Sequence, residues 1–114
     1  TILTSHDDET LGEIGVNGSM AESVRRLAVL AKEAGADGVV ASPHEVALIR
    51  GACGSGFLIV TPGIRPAGAA PGDQVRAATP AAALAAGADY LVVGRPITQS
   101  AHPDEAVREI EATL

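Results

Sequence analysis

Aromatic side chains are nearly absent from this sequence. They make up 2% of its 114 residues, with one Phe, one Tyr and no Trp. Base stacking and aromatic ligand cages need such side chains, so neither kind of site has much to be built from. A site of either kind is therefore a poor interpretation of this chain.

Cysteine and positive charge are also scarce. The single Cys53 excludes an internal disulfide and provides no cysteine metal cluster, which fits a reducing cytoplasm. The net charge of −6 argues against general binding to nucleic acid or to acidic membranes, although a local pair of Arg could still bind a small anion. No apolar run approaches the ~20 residues that span a bilayer. We therefore expect a cytoplasmic protein that binds neither nucleic acid nor membranes.

The most informative stretch is an apolar run at residues 90–93 that leads into Gly94, Arg95 and Pro96. Such a run, bounded by turn formers, predicts a strand buried on both faces. A Gly at its end lets a ligand approach the backbone, and the adjacent Arg offers a fork of donors that fits phosphate or carboxylate. The alternative interpretation is a strand followed by a surface turn whose Arg is only solvated.

Strand-like and helix-like segments alternate along the whole chain. The predicted strands are residues 1–5, 38–41, 57–60 and 90–93, and the residues predicted to cap helices are Ser19, Ser42 and Thr79. This alternation implies parallel strands with helical crossovers. The turn Ala-Gly-Ala-Asp occurs before two of the strands, at residues 34–37 and 86–89, so the repeating unit is one βα pair of a (βα)₈ barrel. Four units are half a barrel; a doubly wound open sheet is the alternative, but its Gly-rich fingerprint is missing.

In such barrels the active site lies at the carboxyl ends of the strands, and phosphate sites commonly use the loops after strands seven and eight. The last two predicted strands are followed by Arg65, Gln74, Gly94 and Arg95. Two guanidiniums, a carboxamide and an open backbone amide form a candidate cradle for a phosphomonoester. For Gln74, a solvated loop residue is an equally good interpretation.

Several motifs together resemble those of bacterial orotidine 5′-phosphate decarboxylase, in the order and close to the spacing of that family. They are Leu3-Thr4-Ser5, Asp37-Gly38-Val39-Val40-Ala41-Ser42-Pro43, Val60-Thr61-Pro62-Gly63-Ile64-Arg65-Pro66, Asp73-Gln74-Val75-Arg76, Thr79-Pro80 and Ala88-Asp89-Tyr90-Leu91-Val92-Val93-Gly94-Arg95-Pro96-Ile97-Thr98. The resemblance covers essentially the whole chain, but only the C-terminal half of the family's barrel.

This resemblance implies an α/β fold in which residues 1–114 are one segment, the C-terminal half of a TIM barrel of the ribulose-phosphate-binding type, with strands five to eight and their helices. It implies decarboxylation of orotidine 5′-phosphate to uridine 5′-phosphate in pyrimidine synthesis, without a metal or an organic cofactor, by a homodimer. The residues that match the family's substrate contacts are Arg65, Gln74, Gly94 and Arg95, mainly at the phosphate end, and Thr4 near the pyrimidine.

One departure from the family concerns catalysis. The family's catalytic Lys and its partnered Asp residues lie in the N-terminal half, and the pattern Asp-x-Lys-x-x-Asp does not occur here. Lys32 is the only Lys and falls on the predicted exposed face of a helix. We therefore predict no catalytic residue in this chain, no activity of the chain alone, and pairing with the missing N-terminal half or a second copy.

Two alternatives to the decarboxylase remain open at this stage. The chain could be a non-catalytic half-barrel that only binds phosphate or assembles, or part of another phosphosugar lyase or epimerase on the same type of barrel. The sequence assigns no role to Ser42 and predicts an ordinary thiol at Cys53. His6 and the Asp residues after it fit a solvated turn better than a metal site.

Overall fold

The computed structural model describes residues 1–68 and 76–114. Within these ranges the elements are α1 (Asp8–Glu13), α2 (Met20–Glu33), β1 (Gly38–Val40), a 3₁₀ turn (Pro43–Glu45), α3 (Val46–Cys53), β2 (Leu58–Thr61), α4 (Pro80–Ala85), β3 (Tyr90–Leu91), α5 (Arg95–Thr98) and α6 (Pro103–Ala112). The strands form one parallel sheet in the order β1–β2–β3. The predicted α/β class with parallel strands is thus confirmed. No helix in the described parts of the chain is long and apolar enough to cross a membrane.

One face of the sheet is covered by helices. Ile59 in the central strand is fully buried and belongs to the same core cluster as Val24 and Ala28 of α2 and Val46 and Ile49 of α3. Side chains alternate between the two faces of a strand, so Ile59 and its neighbours of the same parity point toward the helices. This packing supplies the hydrophobic core.

The opposite face of the sheet is open to solvent. Tyr90 is 60% exposed, Val92 49%, Val40 44% and Leu58 42%. The register, which pairs Val40 with Val60 and Val60 with Tyr90, places these apolar side chains on one surface. The prediction that residues 90–93 are buried on both faces is therefore wrong for this structure, because no layer of the described residues covers this face.

The predicted strand at residues 1–5 is not formed. The nitrogen and Oγ1 of Thr1 donate to Val40 O, at 3.3 and 2.6 Å, so the segment does begin beside β1. The carbonyl groups of Ile2 and Leu3, however, accept hydrogen bonds from the Arg76 guanidinium. β-branched residues favour a strand only where a ladder partner is available. The expected four βα units are accordingly not seen among the described residues, which form three paired strands.

Helix starts follow local capping chemistry. Ser19 Oγ accepts the N–H of Glu22 at 3.2 Å, and Thr79 Oγ1 accepts that of Ala82 at 3.3 Å, as predicted. Ser42 Oγ accepts the N–H of His44 at 3.4 Å, but this cap begins the 3₁₀ turn rather than an α-helix. The one-turn helix α5, which starts directly after Gly94, was not predicted, because the Gly-Arg-Pro sequence indicated only a turn.

Candidate functional site

A cavity of about 330 Å³ opens where β2 and β3 end. Parallel strands bring their carboxyl ends to the same edge of a sheet, so the loops that follow β2 and β3 lie side by side there. The cavity is lined by residues 3–5 of the N-terminal segment, residues 62–65 after β2, and Val92, Gly94 and Arg95 after β3. Three separate parts of the chain therefore contribute to one site.

Four of the five predicted site residues line this cavity. They are Thr4, Arg65, Gly94 and Arg95. The fifth, Gln74, lies outside the described residues. The cavity thus brings together residues separated by up to 91 positions, since Thr4 and Arg95 both line it, although Thr4 does not follow a strand.

Arg65 is held in a rigid part of the site. Its backbone N–H donates to Ala78 O at 2.9 Å, and the adjacent Ile64 forms an isolated parallel bridge with Ala78. Gly63 has a φ of +74°, a left-handed conformation that glycine adopts without strain, and this turns the chain after β2. Arg65 is only 9% exposed, and its Nε has no hydrogen-bond partner among the described residues. A buried N–H donor of this kind favours the arrival of an acceptor.

Gly94 and Arg95 form the wall beyond β3. Gly94 is the N-cap residue of α5, and a Cβ added to it would meet no atom within 4 Å. The space in front of this backbone is therefore open to a ligand. Arg95 is the first residue of α5 and its side chain is exposed. The described lining contains the guanidinium groups of Arg65 and Arg95 and no Asp or Glu. The cavity is therefore locally positive in a chain of net charge −6.

Thr4 lines the cavity from the N-terminal segment. It is 3% exposed, and its carbonyl oxygen accepts the backbone N–H of Arg76 at 3.2 Å. Neither Arg76 nor Glu45 was predicted to be a site residue. In the structure Arg76 Nη1 donates to Glu45 Oε1. These residues are 31 positions apart, so no local pattern could reveal the pair.

The remaining candidates lie away from the cavity. Lys32 Nζ donates to Cys53 O at 2.7 Å, which caps the carboxyl end of α3. Cys53 is buried, and Ser42 is fully buried and does not line the site. Among the described residues no three His, Cys, Asp or Glu side chains form a group that could hold a metal ion.

The arrangement can bind an anion but lacks a proton donor for chemistry at carbon. Guanidiniums bind phosphate through charge-assisted, often bidentate hydrogen bonds. The other polar side chains of the described lining are the hydroxyl groups of Thr4 and Ser5. Neither Lys, His, Asp nor Glu is among these lining residues. The described lining of this cavity therefore offers donors for an anion and no Lys, His, Asp or Glu that could act as a general acid.

Comparison with known proteins gives a consistent result. A family model described as "Orotidine 5'-phosphate decarboxylase / HUMPS family" matches residues 1–110. Proteins named orotidine 5′-phosphate decarboxylase from Geotalea daltonii and Halorhodospira halophila are each 60% identical over all 114 residues, which are 48% of their own length. The protein of that name from Haemophilus influenzae is 55% identical, and the match covers 50% of it. The chain spans about half the length of the curated relatives it matches.

Solved structures show the same partial coverage. The crystal structure of orotidine 5′-phosphate decarboxylase from Lactobacillus acidophilus is 40% identical, with a TM-score of 0.76, over 99% of this chain and 46% of that one. An uncharacterized conserved protein from Geobacillus kaustophilus is 37% identical, with a TM-score of 0.75, over 99% and 46%. Both structures are therefore similar to this chain in sequence and in the path of the backbone.

Proposed function

Because the chain belongs to the orotidine 5′-phosphate decarboxylase / HUMPS family, we propose that it is the C-terminal, phosphate-binding half of an orotidine 5′-phosphate decarboxylase. The complete enzyme converts orotidine 5′-phosphate to uridine 5′-phosphate and carbon dioxide in pyrimidine synthesis. The observation that carries this proposal is the convergence of Thr4, Arg65, Gly94 and Arg95 on one locally positive cavity. Its volume of about 330 Å³ falls within the usual range of small-molecule sites.

Each lining residue has a distinct role in the proposed site. Arg65 and Arg95 bind the phosphate, and Gly94 lets it approach the backbone closely. Support for Arg65 comes from its burial and from its Nε, which lacks a partner among the described residues. Gln74, which lies outside the described residues, is assigned to the same phosphate only because it matches a substrate contact of the family. Thr4, from the N-terminal segment of the lining, contacts the substrate near the pyrimidine.

The chemical step requires a group that this chain does not supply. When the bond to the carboxylate breaks, its electron pair remains on the ring carbon, which then takes a proton from a general acid. The only Lys of the chain, Lys32, is bound to Cys53 O at 2.7 Å and does not line the cavity. We assign the general acid to the half of the enzyme that precedes this chain.

The open sheet face supports a partner of this kind. Val40, Leu58, Tyr90 and Val92 are all more than 40% exposed on that face. A closed barrel leaves neither such a face nor unpaired strand edges. In the proposed enzyme the preceding half covers this face, and two complete barrels form the homodimer.

A hybrid enzyme tests the proposal. The residues that precede the matched region in the Geotalea daltonii relative are joined to Thr1 of this chain, and loss of orotidine 5′-phosphate absorbance is followed. We expect turnover, with the complete relative as the positive control. A folded hybrid without turnover, measured beside an active relative, would reject the proposed function.

Chelation separates the decarboxylase from a metal-dependent epimerase on the same type of barrel. The relatives compared above bear the name of the decarboxylase, and the sequence resemblance implies that the site residues correspond to that family's substrate contacts. The hybrid should therefore keep its full activity after treatment with EDTA. Loss of activity that is restored by a divalent ion would favour the epimerase instead.

A further inference from the structure

Arg76, which lies outside the cavity, binds three successive backbone carbonyl groups, those of Ile2, Leu3 and Thr4. We call this segment, residues 2–4, the Thr4 wall. The Arg76 guanidinium donates through Nη2 to Ile2 O at 3.4 Å and to Leu3 O at 3.2 Å. The backbone N–H of Arg76 donates to Thr4 O at 3.2 Å. Leu3 and Thr4 both line the cavity, so Arg76 bonds directly to the backbone of the wall.

A buried carboxylate fixes this arginine in turn. Glu45, at the end of the 3₁₀ turn after β1, accepts from Arg76 Nη1. The side chains are 6% exposed for Glu45 and 13% for Arg76. A buried ion pair is weak support for stability, because apolar side chains of similar volume often replace it at no cost. Its planar geometry, by contrast, can define the position of whatever else the guanidinium binds.

The wall depends on these contacts for a simple reason. Residues 1–5 form no strand, so no ladder of hydrogen bonds holds them against the sheet. Thr1 bonds to Val40 O, but the three carbonyl groups that follow are bound by Arg76. Movement of Arg76 would therefore shift Thr4 relative to Arg65 and Arg95, which line the same cavity.

We propose that Arg76, held by Glu45, is a positioning residue that sets the distance between the Thr4 wall and the phosphate-binding arginines. This inference rests on the function proposed above, because it assumes a ligand that contacts both Thr4 and the arginines of the cavity. The pair then determines the affinity for the part of a nucleotide that lies beyond its phosphate. The phosphate contacts themselves do not require Arg76.

The test compares two probes in the hybrid enzyme. Uridine 5′-phosphate carries both a phosphate and a base, whereas ribose 5-phosphate carries the phosphate but lacks the base. In Arg76→Met we expect the affinity for uridine 5′-phosphate to fall about tenfold or more, since small displacements in a site have large effects. The affinity for ribose 5-phosphate should stay within about twofold. The urea midpoint should also fall, because Glu45 is left unpaired in a buried position.

Two further variants separate positioning from stability. Glu45→Gln combined with Arg76→Met removes the unpaired carboxylate, so the urea midpoint should recover while the affinity for uridine 5′-phosphate stays low. Arg76→Lys keeps the charge opposite Glu45 but not the planar fork, so affinity should fall while the midpoint stays near that of the unmodified hybrid.

Arg50→Met is the matched control. Arg50 is also a partly buried arginine that binds a carboxylate, Asp89, and several backbone carbonyl groups, but it does not line or contact the cavity. Its loss should lower the urea midpoint and leave both affinities unchanged.

The outcomes distinguish the two proposals. A double variant that binds uridine 5′-phosphate as tightly as the unmodified hybrid would overturn the positioning role. A folded, unmodified hybrid that binds neither probe would overturn the proposed function and this inference with it. Selective loss of uridine 5′-phosphate affinity in all three variants at Arg76 supports both.

Discussion

Arg65 and Arg95 reach the same cavity from different surroundings. Arg65 is 9% exposed and follows a loop fixed by the bridge between Ile64 and Ala78, whereas Arg95 is an exposed residue at the start of a one-turn helix. The first is already desolvated before a ligand arrives, and the second gives up more hydration on binding. Both contribute charge, but Arg65 does so from a buried position.

Replacement of Arg95 tests the phosphate site directly. In the hybrid enzyme, Arg95→Ala should weaken binding of uridine 5′-phosphate by about 1.5–3 kcal/mol, the usual value of a charge-assisted hydrogen bond. This corresponds to a rise in the dissociation constant of about 10- to 150-fold. Arg108→Ala, on the exposed surface of α6, removes the same charge and should have no effect. Equal dissociation constants for Arg95→Ala and the unmodified hybrid would contradict a phosphate contact.

Asp89 gives the fold an acid-sensitive contact away from the cavity. Its Oδ2 accepts the backbone N–H of Ile59 at 2.8 Å and a hydrogen bond from Arg50 at 2.7 Å. These bonds hold the pKa of Asp89 below its usual value, and the bond from Ile59 has the larger effect. The folded state therefore favours the ionised carboxylate. The resulting stability is present above the unfolded-state pKa of about 3.9 and is lost as the pH falls through the lower folded-state value.

This pH dependence can be measured as a difference between variants. Asp89→Asn in the hybrid should lower the urea midpoint at about pH 7, and the difference from the unmodified hybrid should shrink at about pH 3. Glu109→Gln, on the exposed surface of α6, is the control and should show a much smaller difference. A gap for Asp89→Asn that widens on acidification would contradict the assigned pKa direction.

At the scale of elements, the sequence predicts best what is decided locally. The Ser19 and Thr79 caps involve a side chain and a backbone N–H three residues on, and both are found as expected. Residues 1–5 have strand propensity but no adjacent ladder in this structure, so their prediction failed. The burial of residues 90–93 failed for a related reason, since a buried face needs a covering layer that a run of apolar residues does not specify.

Gly38 is an element-scale test of how tightly β1 and β2 are packed. A Cβ at this position would overlap Leu58 O and lie 2.6 Å from Leu58 Cβ. Because β1 cannot move away without losing its ladder with β2, Gly38→Ala should destabilise the hybrid by about 1–3 kcal/mol, a typical cost of overpacking. The measurement is the free energy of unfolding in urea.

Gly51→Ala is the matched control for that experiment. Gly51 lies in α3, and a Cβ there would meet no atom within 4 Å. Alanine in the interior of a helix should stabilise the protein by about 0.5–1 kcal/mol relative to glycine. If both variants change stability by the same amount and sign, the close approach at Gly38 is not the cause.

For the whole molecule, the site was more predictable than the assembly around it. Arg65, Gly94 and Arg95 could be placed together because parallel strands end at one edge of a sheet. The pair of Glu45 and Arg76 could not, because it joins residues 31 positions apart through side chains alone. An open sheet face, by contrast, was to be expected from half a barrel, which leaves one face of its sheet uncovered.

We expect this chain to bind its ligand without being able to transform it. It contains the arginines of the proposed phosphate site, and its only Lys donates to a backbone carbonyl at the end of α3. General acid catalysis typically contributes about 10²–10⁴-fold, and the negative charge that develops on the ring also needs stabilisation. Ligand positioning alone does not replace these contributions.

The most direct test is an orotidine 5′-phosphate absorbance assay on purified chain of confirmed mass, before and after addition of the separately produced N-terminal half of the Geotalea daltonii relative. The N-terminal half alone serves as the control. We predict no turnover by either half and measurable turnover once they are mixed, at a rate that saturates near equimolar ratio. Turnover by this chain alone, in a sample shown to contain no longer polypeptide, would contradict the prediction that the chain carries no general acid of its own.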